Sequence, residues 1–395
     1  MDVKVSRSEV NAFRLHAHHL TDRVEQHRLL DVVGASGIQN SPPGSALLSL
    51  HARAQGVSQE LVDKRVGDDK NLLQSWCMRG SPFFFPTRDA PVFTTGVLPP
   101  TEETMRQFIR GASPSVDELE LSLTEVVELT RAEIGTVLTG RRLAIDELGA
   151  AIAERVADTL PTKKRRLWNQ EGPHAAGQPL GEAIVHFCIR ILTLQGVVCL
   201  APREDNAAPF VLVEEWLGTP IPDVDPETAR AELLRRYLHC YGPSTKADFA
   251  KWLGVRAGDA EPWWGLVEDE LTPINFGRKT WMLTDDVDAL QTSPPMQGLR
   301  LLPPRDPYTQ LRDRETIVDK KFHKTVWKPV GDPGTVLSDG AIIGTWRPRK
   351  NGNKFRLVVA PFDRLTARVK EDIEHEAKKI TALRGATDLT LDFEP

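Results

Sequence analysis

Apolar positions between residues 225 and 286 follow first a helical spacing and then short β-rich runs. Asp225-Pro226 reads as an N-cap and first helical position, and Leu233, Leu234, Tyr237 and Leu238 carry the apolar stripe until Gly242-Pro243 stops it. The spacing predicts a second helix capped by Ser244, carrying Phe249, Trp252 and Leu253, and ended by Gly254. Asp259 and Pro262 open a third, running through Trp264, Leu266 and Val267. LTPINF and TWMLT then read as two strands joined by Gly277-Arg278-Lys279. Three helices followed by a hairpin describe a winged helix, a helix-turn-helix variant with a β wing.

The same order recurs earlier. Residues 119–139, 143–159 and 180–195 read as helices, and VVCLA and FVLVEE as strands about a polar turn at 203–206. Nearer the start, residues 10–20, 46–54 and 59–66 look helical, with LLQSWCM and PFFFP as a hairpin about Arg79-Gly80-Ser81. Beyond residue 297 the pattern changes: LRLLPP, TVLSDGAIIGTW and KFRLVVAPF read as strands, and 364–383 as a charged helix. The last two strands meet across 347–353, where Asn351-Gly352 favours a tight turn. Prolines at Pro99-Pro100, 220–226 and Pro294-Pro295 mark joints. The expectation is an α+β fold of three tandem winged-helix (helix-turn-helix) units over 1–100, 115–218 and 223–292. A C-terminal β-rich subdomain with a terminal helix follows over 297–395.

A length of 395 residues suits two or three domains at ~150 residues each, and a composition 40% hydrophobic and 27% charged excludes a mostly disordered chain. No run approaches the ~18 uncharged apolar residues of a spanning helix, and MDVKVSRSEV lacks the apolar stretch of a secretory signal. A cytoplasmic protein with no membrane partner is expected. Cys77, Cys188, Cys199 and Cys240 lie far apart with no CxxC, which predicts buried, reduced thiols. The net charge of −5 is unevenly spread. Residues 320–356 hold Lys320, Lys321, Lys324, Lys328, Arg347, Arg349, Lys350, Lys354 and Arg356 against only Asp332 and Asp339, leaving the remaining chain at −12. A second cluster, Lys163-Lys164-Arg165-Arg166, reads as lying between two helical segments. Two basic clusters on an acidic protein point to a localised anionic partner, and a solvated charged surface is the plainer alternative.

Five spaced segments resemble one family. FRLHAHHLTDR, GIQNSPPGSALLSLHAR, MRGSPFFFPTRDA, YGPSTKADFAKWLG, and LRLLPPRDPY with DGAIIGTWRPR are similar to the AlkZ-like winged-helix DNA glycosylases. The resemblance implies tandem winged helices lining a positive concave surface for duplex DNA, with no metal or organic cofactor. It implies hydrolysis of the N-glycosidic bond of bulky alkylated purines, and in some members the unhooking of interstrand crosslinks. The family's catalytic signature is a glutamine, any residue, then glutamine or aspartate. Here it falls on Gln39, Asn40 and Ser41, so the second polar position departs from the pattern.

An N7-alkylated purine is cationic and leaves readily through an oxocarbenium-like transition state, so the enzyme's task is to hold a water and stabilise positive charge on the sugar. Serine offers less dipole and shorter reach than an amide or carboxylate. A plainer reading is open at each position. Ser41 before Pro42 suits a helix N-cap ahead of 46–53, and Gln39 suits a phosphate or loop amide. The expected DNA contacts are Lys163, Lys164, Arg165, Arg166, Arg278, Lys279, Lys321, Lys324, Arg347, Arg349, Lys350, Lys354 and Arg356, on a monomer associated with the nucleoid. The alternative is a non-catalytic winged-helix protein that regulates or shields duplex DNA. Of the cluster His16, His18 and His19, His18 and His19 fall on different helix faces, and the cluster suits packing or solvation better than a metal. Trp252 and one of Trp263 and Trp264 are expected in the core, the other at the surface. No P-loop, GxGxxG, HExxH or nucleophile elbow occurs.

Overall fold

Ser6 starts the first long helix, Arg7–Ala17, with a reciprocal cap. Its hydroxyl accepts the Glu9 N–H, and the Glu9 carboxylate accepts the Ser6 N–H. The computed structural model describes residues 3–204 and 207–394 as an α+β protein. It divides into two compact units. The first takes the chain up to Val62, Leu234–Trp252, and everything from Val267 onward; the second takes Asp63–Leu233 and Leu253–Leu266.

In the first unit a five-stranded sheet runs in the spatial order Asp388–Phe393, Lys354–Pro361, Ala341–Asn351, Gly334–Ser338, Leu299–Leu302. All neighbours are antiparallel except Asp388–Phe393, which lies parallel to Lys354–Pro361. Helix Ala367–Leu383 covers one face. Ile373, Ala377 and Ile380 pack with Leu301, Trp346, Phe355, Leu357 and Val359, and Leu48 of helix Ser45–Arg53 joins the same core. Strand Asp388–Phe393 was not expected, although Leu389, Leu391 and Phe393 alternate toward that core. The stretch TVLSDGAIIGTW proves to be two strands, Gly334–Ser338 and Ala341–Asn351, turning at Asp339-Gly340. A smaller sheet pairs Val3–Lys4 in parallel with Leu271–Asn275, which is antiparallel to Lys279–Leu283.

Two buried arginines inside this unit are matched by carboxylates. Arg53 and Asp306, 2% and 0% exposed, form a two-pronged pair at 2.8 and 2.7 Å. The Ser49 hydroxyl donates to the same carboxylate, and Arg53 Nε donates to the His18 carbonyl. Buried Arg14 donates to the carbonyls of Gly242 and Pro243 and pairs with Asp313 at 2.9 Å. Burial holds His18 well below its ordinary pKa, and its ring meets Tyr241 and Tyr308 edge-on.

In the second unit helices Leu123–Leu138, Ile145–Thr159 and Leu180–Leu194 pack on one another. Strands Pro82–Pro86, Leu72–Trp76, Val198–Leu200 and Phe210–Leu212 follow in that order, so two hairpins far apart in sequence share a sheet through Gln74 and Leu200. The turn between the last two strands includes residues 205 and 206, which lie outside the described residues. All four cysteines are buried and free, and burial pushes each thiol up to about 12.

Four local expectations are corrected. The basic run 163–166 is not a link between helices but part of helix Thr162–Trp168. Helix Lys246–Leu253 is capped by Thr245, whose hydroxyl accepts the Asp248 N–H, because Ser244 is occupied by Tyr237. The third helix of that region shortens to Glu261–Trp264, flanked by 3₁₀ turns. Trp263 and Trp264 are both buried; Trp263 Nε1 donates to the Gly96 carbonyl, which gives the second indole's neighbour a satisfied place inside.

Asp306→Ala strands the Arg53 guanidinium and is expected to lower unfolding free energy by about 3–5 kcal/mol. Asp392→Ala, which breaks the exposed Arg356 pair, should cost under ~1 kcal/mol. Urea denaturation of both variants measures the contrast.

Candidate active site and nucleic-acid interface

Gly37, at φ 70°, ends helix Leu29–Ser36 and releases the chain into the short strand Ile38–Gln39. Gln39 is 4% exposed. Its carbonyl accepts the Ser45 hydroxyl, but its side-chain Oε1 is sealed from solvent and accepts no hydrogen bond from any described residue. An orphaned buried amide oxygen costs about 1–3 kcal/mol. Asn40 is already committed. Its Oδ1 accepts the N–H groups of Gly44 (2.9 Å) and Ala46 (3.3 Å), which caps helix Ser45–Arg53. The expected cap at Ser41 is therefore corrected: Asn40 does that work, with Gly44 in the left-handed region at φ 83°. Ser41 is half-buried and its hydroxyl bonds to no described residue. Two of the three side chains, Gln39 and Ser41, are thus chemically unspent.

Arg384 was missed from sequence. A Cβ placed on Gly44 would stand 2.5 Å from Arg384 Nη1, so this guanidinium lies directly against the loop that follows Ser41, where the left-handed φ of 83° favours glycine. Burial draws the Arg384 pKa below its ordinary value. The Arg384 carbonyl accepts Lys350 Nζ at 2.7 Å. The motif loop, the end of helix Ala367–Leu383 and the basic hairpin are therefore continuous. A lone arginine before Gly385 reads only as a cation in a helix's last turn, so no sequence signal tied it to residues 39–41.

The hairpin turn is Gly352-Asn353, one residue later than expected, because Asn351 pairs with Lys354 and Gly352 takes the positive φ. Arg347, Arg349, Lys354 and Arg356 share one exposed face, with Arg349 directly opposite Arg356. Like charges so placed repel, which is a cost to the free sheet that a polyanion removes. Asp392 pairs with Arg356 at 2.6 Å and Arg347 donates to the Gly331 carbonyl, whereas Arg349 and Lys354 have no carboxylate partner among the described residues. Strand Asp388–Phe393 flanks the hairpin, so it is a braced extension of the sheet and not a free projection.

The other expected contacts are scattered. Arg278 is paired with Asp248 at 2.6 Å, and Lys279 lies over the Trp281 ring. Lys321 lies over Phe322, and Lys324 is exposed. In the second unit Lys164 donates to the Glu120 carbonyl and Arg165 to the Asp158 carbonyl, so both serve local structure. Lys163 and Arg166 are exposed. His16 is exposed, His18 buried and His19 half-buried; no metal-binding group of three or more His, Cys, Asp or Glu occurs among the described residues. No helix among them is long and apolar enough to cross a membrane.

A family model described as DNA glycosylase AlkZ-like matches residues 32–383. The chain belongs to the AlkZ-like DNA glycosylase family. It is similar to an interstrand DNA cross-link repair glycosylase of Streptomyces sahachiroi, with 26% identity over 404 aligned residues, spanning 98% of this chain and 99% of that protein. The solved structure of Streptomyces sahachiroi DNA glycosylase AlkZ superposes with a TM-score of 0.76 at 25% identity, covering 99% of this chain and 100% of that one. Family membership brings DNA as partner of this AlkZ-like chain.

Asn40→Ala leaves two N–H groups at the start of helix Ser45–Arg53 without an acceptor and is expected to cost about 1 kcal/mol. Ser41→Ala, which removes no hydrogen bond, should change stability by less than ~0.5 kcal/mol. Chemical denaturation distinguishes the two.

Proposed function

We propose that this chain is a monofunctional DNA glycosylase that hydrolyses the C1′–N9 bond of bulky N7-alkylated purines in duplex DNA. The observation that carries the reading is the buried, unpartnered Oε1 of Gln39 at the family's first catalytic position. Alkylation makes the base cationic, so the bond's electron pair leaves with a neutral purine and positive charge collects on the sugar. Gln39 Oε1 accepts a hydrogen bond from a water and turns the negative end of its amide dipole toward the oxocarbenium ion. That water adds to C1′ and gives its proton to solvent, because an amide cannot take it. The Ser41 hydroxyl supports the same water at shorter reach and with a smaller dipole.

The scaffold proposed is three winged-helix units, 1–100, 115–218 and 223–292, followed by the subdomain 297–395, working as a monomer on alkylated duplex DNA. The exposed cations Arg347, Arg349, Lys350, Lys354 and Arg356, with Arg384 beside Gly44, neutralise backbone phosphates next to residues 39–41. Lys163 and Arg166 serve the same partner from the second unit. Interstrand crosslink unhooking is the same bond cleavage performed on a lesion whose alkyl group reaches the opposite strand. The second reading is a non-catalytic duplex-binding protein, and the observation favouring it is Ser41 where the family has glutamine or aspartate.

Single-turnover base release from a duplex carrying N7-alkylguanine tests the two. Gln39→Ala should slow release roughly tenfold to a hundredfold with duplex affinity unchanged. Ser41→Asp should speed it on the order of tenfold, since a carboxylate both orients the water and offsets the sugar's charge. Arg349→Ala with Lys350→Ala should weaken binding and make the slope of log K against log salt shallower by about two. If wild type, Gln39→Ala and Ser41→Asp all release base at the rate of free DNA, the non-catalytic reading replaces this one.

A further inference from the structure

Buried arginines in the first unit show what a structural guanidinium looks like here. Arg14 and Arg53 each reach carbonyls and a carboxylate. Arg312 does not. Its Nε is sealed from solvent with no hydrogen-bond partner, and its guanidinium bonds to no described residue. It lines a cavity of about 730 Å³ with Val5, Phe276, Arg278, Arg314 and His323. None of residues 39–41, nor Arg384, lines that cavity.

The cavity's carboxylates are spent elsewhere. Asp313 is held by Arg14 at 2.9 Å and by the Thr316 hydroxyl. Asp248 is held by Arg278 at 2.6 Å and by the Thr245 hydroxyl. Glu315 is exposed and faces Lys320 at 4.0 Å. Arg314 is stacked on Trp327 at 4.5 Å, with no carboxylate within ion-pair distance among the described residues. Two guanidinia, two residues apart, thus reach one concavity without a direct carboxylate bond, Asp248 and Asp332 acting on them only through space. Burial already draws both below their ordinary pKa. Both are half-buried, and a guanidinium with unused donors in a concavity is completed by an anion that brings oxygens to it.

We propose that the cavity around Arg312 and Arg314 is a phosphate-binding site. The planar guanidinium fork matches two phosphate oxygens at once, which a halide ion cannot offer. The volume exceeds that of a bare phosphate ion, and Val5 and Phe276 give it an apolar wall, so the occupant is a phosphate carrying an organic group. A nucleotide and a backbone phosphate of duplex DNA both meet that description. The site does not depend on glycosidic hydrolysis, because occupancy is measured without base release.

The test uses the full chain in phosphate-free buffer, with ionic strength held by chloride. Thermal melts and titration calorimetry are run with inorganic phosphate and with 5′-dAMP, and binding to an undamaged duplex is measured in parallel. For wild type, a Tm rise with phosphate or dAMP that Arg312→Met abolishes and Arg312→Lys partly keeps supports the site with a free phosphate ligand. No such rise, together with duplex affinity weakened on the order of tenfold by Arg312→Met, supports it with the DNA backbone as the source. In either case Arg312→Met should melt no lower than wild type without ligand, since it removes an unpaired charge. Equal behaviour of wild type and both variants toward phosphate, dAMP and duplex would overturn the proposal.

Discussion

The buried pair of Arg53 and Asp306 is the constraint on which the candidate site depends. It ties the end of helix Ser45–Arg53 to the segment after strand Leu299–Leu302, and Ser49 one turn earlier adds a second bond to the same carboxylate. The other end of that helix is fixed by Asn40 through two backbone N–H groups. With both ends pinned and Leu48 in the sheet's core, the loop 40–44 has little freedom, and Gln39 enters it from a buried strand. The directional bonds of the pair fix the end of the helix against the segment after the strand. Desolvated charge therefore sits behind the motif, while the motif's own acceptor is left empty.

The same contrast separates cations bonded within the fold from cations left free at its surface. Arg14, Arg53, Arg23 and Arg165 spend their donors on carbonyls and carboxylates of the fold. Arg349 and Lys354 keep theirs, and Arg349 tolerates Arg356 directly across the strand pair. The hairpin continuous with the motif loop thus leaves cations unpaired, and the loop's entry strand leaves an amide oxygen unpaired.

Much of this was legible in the chain. Helical spacing located Arg7–Ala17, Ser45–Arg53, Leu180–Leu194 and Pro226–Tyr241 within a few residues, because long amphipathic runs with clear stops leave little choice. The family resemblance brought Gln39, Asn40 and Ser41 to notice. What the chain did not disclose were decisions made by partners distant in sequence. Asn40 and Ser41 are equally good caps on local rules, and only the geometry at Gly44 selects Asn40. Strand Asp388–Phe393 follows a glycine after a charged helix, and its pairing partner lies more than thirty residues earlier. Arg384 becomes meaningful only once Gly44 is beside it. The two indoles at 263 and 264 could both be buried because short 3₁₀ turns on each side replace the long helix whose faces would have separated them.

The central claim is that Gln39 Oε1 is an acceptor reserved for the attacking water. It is tested most directly by a crystal structure with a duplex whose N7-alkylguanosine carries a 2′-fluorine to block cleavage. The account predicts an ordered water hydrogen-bonded to Gln39 Oε1 on the face of the sugar opposite the departing base, with Ser41 Oγ as its second neighbour. A Gln39 side chain bonded instead to a phosphate or a protein amide, with no water on that face of C1′, would contradict it.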